Sequence, residues 1–183
     1  MSPRIALGLV MLAAPLLAAT PACAQSDDAA AQQMINDPNP ATFAVWGLTP
    51  APKSVKDDSV QGGRSVHVAT TGNGNPWDIS VNVPIIKPIK AGDHLQMMYY
   101  AKLEKPNAGE ATGRITGQLQ ISSAPYTVVM GSTVDVTPEW KLFTVDGRAD
   151  KDYAKGSLNA TFHLNTGKHT IAMGLVAVFD KGQ

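Results

Sequence analysis

From residue 62 to residue 179 the chain runs in short stretches of alternating polar and apolar side chains, each stopped by turn-forming residues. Period two is the signature of a pleated strand with one face buried and the other wet. The stretch 158–164 is the cleanest case. Leu158, Ala160, Phe162 and Leu164 point one way, and Asn159, Thr161 and His163 point the other. In 114–122, Ile115, Leu119 and Ile121 oppose Arg114, Thr116, Gln118 and Gln120. The stretches 64–70, 77–83, 93–103, 128–136, 141–145 and 169–179 read as further strands. The separators are Gly62-Gly63, the run 72–76, Lys90-Ala-Gly92, Pro106-Asn-Ala-Gly109, Asp146-Gly147 and Asn165-Thr-Gly167. Each supplies a positive or a fixed φ, which is what a reversing chain requires. Eight to ten strands at this spacing, with no helical stretch of core length, predict an all-β, two-sheet antiparallel β-sandwich over 43–183. Hydrophobic residues at 44% and charged residues at 16% supply a core and exclude wholesale disorder. No internal repeat and no second domain is visible.

The first 42 residues do not follow this pattern. Residues 1–24 read as a signal peptide. Arg4 begins it, an apolar run over 5–19 is too short and too Pro-interrupted for a comfortable span, and Ala22-Cys23-Ala24 offers a small-x-small cleavage site before Gln25. The expected location is therefore secreted or periplasmic, with no membrane span after cleavage. A lipidated Cys23 is the minor alternative, with Pro21 a poor neighbour for it. Cys23 is the only cysteine, so the mature chain carries no disulfide and no cysteine-based site. Residues 25–42 are polar, Ala-rich and then Asx-Pro-rich, and are expected to form a flexible leader.

Fifteen basic and fifteen acidic residues cancel, so there is no basic field for nucleic acid. There is no G-x-S-x-G elbow, phosphate loop or H-E-x-x-H. The four histidines (His67, His94, His163 and His169) share no ligand spacing. A glycoside hydrolase needs two carboxylates facing each other across a cleft. The acids here fall mostly in turns, and nothing pairs Asp78 or Asp135, the two placed inside strands. Asp78 reads as a strand-end hydrogen-bond acceptor.

The outward faces are more informative. Gln96, Tyr100 and Lys102 alternate on one strand, Arg114, Gln118 and Gln120 on another, and Asn159, Thr161 and His163 on a third. Planar amides and guanidinium groups match the paired hydroxyls of a sugar, and an aromatic face matches its C–H surface. A plain solvated sheet face shows similar residues and fits the pattern equally. Trp46 is expected in the core and Trp140 at its edge. Trp77, after Asn75-Pro76, is the candidate stacking platform, with burial as the competing reading.

Four motifs in order then resemble a known family. They are Gly63-Arg-Ser-Val-His-Val with Asn75-Pro-Trp-Asp-Ile-Ser-Val, the run 89–102 ending at Tyr100 and Lys102, Thr137-Pro-Glu-Trp-Lys-Leu-Phe-Thr-Val, and Leu158-Asn-Ala-Thr-Phe-His-Leu. Together they resemble the carbohydrate-binding modules of families 4, 9 and 22. The resemblance implies a galactose-binding-like jelly roll and non-catalytic binding of a plant-type polysaccharide or oligosaccharide such as xylan or β-glucan. By position, Trp77 and Tyr100 would be the aromatic contacts. Hydrogen bonds are expected from Gln118, Gln120, Asn159, Arg114 and His163. The family's structural calcium relies on an acid in a closing stretch that here reads Ile171-Ala-Met-Gly-Leu-Val. No cofactor is therefore expected, with Asp180 the available substitute ligand. The competing expectation is an envelope interaction or structural protein that uses the same sandwich to dock an exported partner, fed by an apolar patch around Met97-Met98-Tyr99-Tyr100. A sugar-active enzyme is the third.

Overall fold

The computed structural model describes residues 31–183. The expected signal peptide lies outside them. Ten strands follow in order: β1 (Ala44–Trp46), β2 (Val55–Lys56), β3 (Arg64–Ala69), β4 (Ser80–Pro84), β5 (His94–Lys105), β6 (Gly113–Ile121), β7 (Val128–Val136), β8 (Lys141–Arg148), β9 (Leu158–His163) and β10 (Thr170–Asp180). They form two five-stranded antiparallel sheets, ordered β1-β4-β9-β6-β7 and β2-β3-β10-β5-β8. The expected β-sandwich is what forms. Among the described residues no helix is long and apolar enough to cross a membrane.

The alternation does what period two demands. In β5, Leu95, Met97, Tyr99, Ala101 and Leu103 are sealed in the interior, while their neighbours face outward. Met97 and Tyr99 therefore cannot feed an exposed apolar patch. In β9, Leu158, Ala160 and Phe162 enter the same core from the opposite sheet. Tyr99 stacks on Phe143 with ring centroids 5.4 Å apart and meets the edge of Phe162 at 4.8 Å. Aromatic contacts of this kind add to the stabilisation from burial alone. Gly117 makes room for them, because a Cβ there would stand 3.0 Å from Phe162 and 3.2 Å from Tyr99.

The Tyr99 hydroxyl is buried and has no hydrogen-bond partner among the described residues. Taking a hydroxyl from water without replacing its bond is unfavourable. Tyr99→Phe is accordingly expected to raise stability by about 1 kcal/mol, read as a higher urea midpoint. A lower midpoint would show that the hydroxyl has a partner.

The expected leader requires a correction. From Met34 onward it is not free: Met34 pairs with Phe179 and Asn36 with Ile85, and Ile35 is buried in the core. The Asn36 amide donates to Val176 O at 2.8 Å and accepts from Val178 N at 2.7 Å. Those bonds take the edge of β10 beyond Met173, where the pairing with β3 has ended and backbone groups need other partners. Polar composition concealed a strap that joins the two sheets.

Candidate functional site

The outward face of the β1-β4-β9-β6-β7 sheet carries a groove of about 680 Å³. Its floor follows from strand register. Trp46 pairs with Ser80 and Ser80 with His163, so these lie in one row. Asn82, Thr161 and Gln118 form the next row, and Asn159 and Gln120 the one after. All of these line the groove, with Trp77, Ser122, Pro125 and Tyr126 at its rim. Not one of the lining residues is Asp, Glu, Lys or Arg.

The hydrogen bonds of the floor leave it half committed. Gln118 donates through Nε2 to Gln120 Oε1, which uses one arm of each amide. An amide has both a donor and an acceptor end, so one arm of each remains for the groove. Thr161 donates to Asn82 Oδ1 at 2.7 Å and the Asn82 amino group donates to Ser80 Oγ at 3.5 Å, which leaves its second N–H for the groove. Burial holds the His163 imidazole below its ordinary pKa, so it is uncharged at neutral pH. Its ring lies 6.2 Å from that of Trp77, edge to face.

Trp77 sits in a 3₁₀ turn, Pro76–Asp78, and not in a strand, and it is 58% exposed. The loop before it is tied down by Asn165. This buried amide accepts from Thr71 N and Gly72 N at 3.2 and 2.9 Å, and donates to Asn73 O and Asn75 O. Asp78 does act as an acceptor, taking the Asn75 N–H at 2.7 Å. Trp46 corrects the expectation of burial, since it is 64% exposed and stands at the same end of the groove. Gly47 brings the two tryptophan segments together. Its φ is +84°, and a Cβ there would fall 1.8 Å from Asp78 O.

Of the expected contacts, the structure gathers Trp77, Gln118, Gln120, Asn159 and His163. Two others are elsewhere. Tyr100 faces outward from the opposite sheet, and its hydroxyl donates to Gln61 Oε1 at 2.9 Å. Gly174 lies beneath it, where a Cβ would meet Val60 and Tyr100. Arg114 is on β6 but outside the groove, paired with Asp135 at 3.0 Å. Trp46, Ser80, Asn82, Ser122, Pro125 and Tyr126 complete the lining without having been expected, beside Thr161, which was expected to face outward. Ser80 and Asn82 could have been found, because they alternate with Val81 and Val83.

A second polar constellation lies on the opposite sheet. Ser65 Oγ is 2.9 Å from His67 Nε2, and His67 Nδ1 is 2.7 Å from Glu104 Oε2. This has the linkage of a nucleophile, base and acid. Ser65 is 0% exposed, however, and its hydroxyl donates to Asp57 at 2.9 Å. The chain of bonds ties the 57–63 loop to the sheet.

Asp180 lies beside Asp93. Burial, and then the Asp93 carboxylate, push its pKa above the ordinary aspartate value, against the pull of the Gly182 N–H. Two carboxylates, one of which holds its proton unusually tightly, are a thin donor set for calcium, which takes roughly six to eight oxygens. The native state binds this proton more tightly than the unfolded chain. The ionised form therefore destabilises the fold at neutral pH, and the penalty is relieved as pH falls through the raised pKa. Asp180→Asn keeps the Gly182 bond and removes the charge. It should be more stable than wild type in urea at pH 7, and the advantage should vanish by about pH 4. An advantage independent of pH would show that the charge is not its source.

Neither a protein-family model nor a curated protein sequence matches the chain. Solved structures do. A CBM4 structure is 21% identical, covering 80% of this chain and 93% of its own, with a TM-score of 0.53. The N-terminal cellulose-binding domain of Cellulomonas fimi β-1,4-glucanase C is 18% identical, covering 82% and 96%, with a TM-score of 0.57. The CBM22-1 xylan-binding domain of Paenibacillus barcinonensis Xyn10C is 11% identical, covering 82% and 93%, with a TM-score of 0.52. The chain shares the jelly-roll β-sandwich fold of carbohydrate-binding modules.

Proposed function

We propose that this is an exported carbohydrate-binding protein that holds an uncharged plant-type polysaccharide or oligosaccharide, such as xylan or β-glucan, in the groove of the β1-β4-β9-β6-β7 sheet. The observation that carries the reading is the groove itself: two exposed tryptophans at one end of a floor of half-committed amides and hydroxyls, with no ionised side chain lining it. Indole faces pack against sugar C–H surfaces, and the free amide arms exchange hydrogen bonds with hydroxyls. An exposed large aromatic side chain gains nothing for the fold from being exposed, so its presence at a polar groove points to a ligand.

Affinity electrophoresis in gels containing xylan, mixed-linkage β-glucan, or the acidic polygalacturonate tests this. Retardation by at least one neutral polymer and free migration in polygalacturonate is expected. Free migration in every neutral polymer would overturn the reading. An exported protein partner is the weaker reading. The exposed large hydrophobics outside the groove (Val55, Ile86, Val128 and Leu142) come from four separate parts of the chain.

A further inference from the structure

Tyr126, at the rim of the groove, has an unusual backbone. Its φ is +55°, the one non-glycine residue among those described with a left-handed backbone. For a bulky side chain that conformation is unfavourable, and such strain persists where function needs the side chain in place. Tyr126 is 55% exposed, and its ring makes no stacked or edge contact with another aromatic ring of the described residues. The 123–126 turn is closed by Tyr126 N donating to Ser123 O at 2.8 Å, a bond any residue could make. A glycine here would serve the turn better. The side chain lines the groove instead.

Its place relative to the tryptophans follows from register. Trp46 is on β1 in the row of Ser80 and His163. Ser122, just before the Tyr126 turn, is three rows further along and three strands across, beyond Asn82–Thr161–Gln118 and Asn159–Gln120. Strands lie about 4.8 Å apart and each row advances about 6.8 Å, so this diagonal is on the order of 25 Å. A monosaccharide or disaccharide does not reach across it.

We infer that Tyr126 is a second aromatic platform at the far end of the groove, so that the site takes an extended internal run of a polysaccharide, anchored at Trp46 and Trp77 and again at Tyr126. This rests on the carbohydrate-binding reading above and adds a length requirement to it. Short oligosaccharides occupy the tryptophan end and never reach Tyr126. Long ones engage both ends.

The test is calorimetric titration of the full mature chain with xylotriose, xylohexaose, cellotriose and cellohexaose. Tyr126→Gly suits the backbone, so the variant is expected to melt no lower than wild type. It should bind the preferred hexasaccharide roughly tenfold more weakly than wild type, as loss of one aromatic platform implies, and the matching trisaccharide equally well. Trp77→Ala should weaken both lengths. Wild-type affinity for the hexasaccharide from Tyr126→Gly would overturn the inference while Trp77→Ala still upheld the groove. Equal losses at both lengths would overturn it too, because Tyr126 would then act on the whole site. If wild type binds none of the four sugars, this inference is overturned, while the groove reading stands or falls on the polymer gels.

Discussion

Trp77→Ala is expected to weaken binding of a hexasaccharide by roughly 30-fold, about 2 kcal/mol, and Trp46→Ala with Trp77→Ala to abolish retardation in a polysaccharide gel. The size follows from the geometry. Both indoles are mostly exposed, yet their segments are pinned in place by the Asn165 amide and by the close approach of Gly47 to Asp78 O. A pre-positioned aromatic loses little freedom on binding, so most of its stacking energy is realised as affinity. The same exposure means the fold scarcely depends on either ring. Both variants should unfold within about 0.5 kcal/mol of wild type. Unchanged binding by the double variant would remove the groove from the account, whereas a collapse in stability would show that the rings are structural.

Phe162→Ala is expected to destabilise the protein by about 3–5 kcal/mol. Phe162 is fully buried on β9 and touches the edge of Tyr99. The surrounding β-sheet cannot collapse into the space, because β9 is paired on both sides, with β4 and with β6. Its chain neighbours Thr161 and His163 lie in the groove floor. The damage should therefore also blunt binding, unlike the tryptophan variants, which separate the two effects. Urea unfolding followed by tryptophan fluorescence measures the loss. A change below about 1 kcal/mol would mean the core between the two sheets is looser than its burial implies.

Side-chain alternation in 114–122 and 158–164 carried both the sandwich and half of the site. The residues opposite Leu119, Ala160 and Phe162 are the groove floor. Period two tells which residues face outward, but not which sheet a strand joins. Tyr100 shows the consequence. It does face outward, yet β5 pairs with β10 and β8, which puts it on the far side of the sandwich from Trp77. That assignment is made by long-range pairing, which no local pattern encodes. The exposure of Trp46 is not legible because β1 has only three residues, too few for alternation to declare a face. Asn165 and Tyr126 sit in turns, where composition marks a reversal but not the bonds or the strain within it. Ile35 and Asn36 lie in a polar, Pro-rich segment whose few buried groups do the docking and leave no period to read.

One sheet face, and not the other, is expected to receive a sugar chain. A ¹H–¹⁵N correlation spectrum of the protein, titrated with xylohexaose and with cellohexaose, resolves the two. The predicted result is movement of the Trp46 and Trp77 indole N–H signals and of the Gln118, Gln120, Asn82 and Asn159 side-chain amides, with the Trp140 indole and the backbone around Tyr100 unmoved. Shifts gathered instead at Tyr100 and Trp140, or no shift with either sugar, would contradict it.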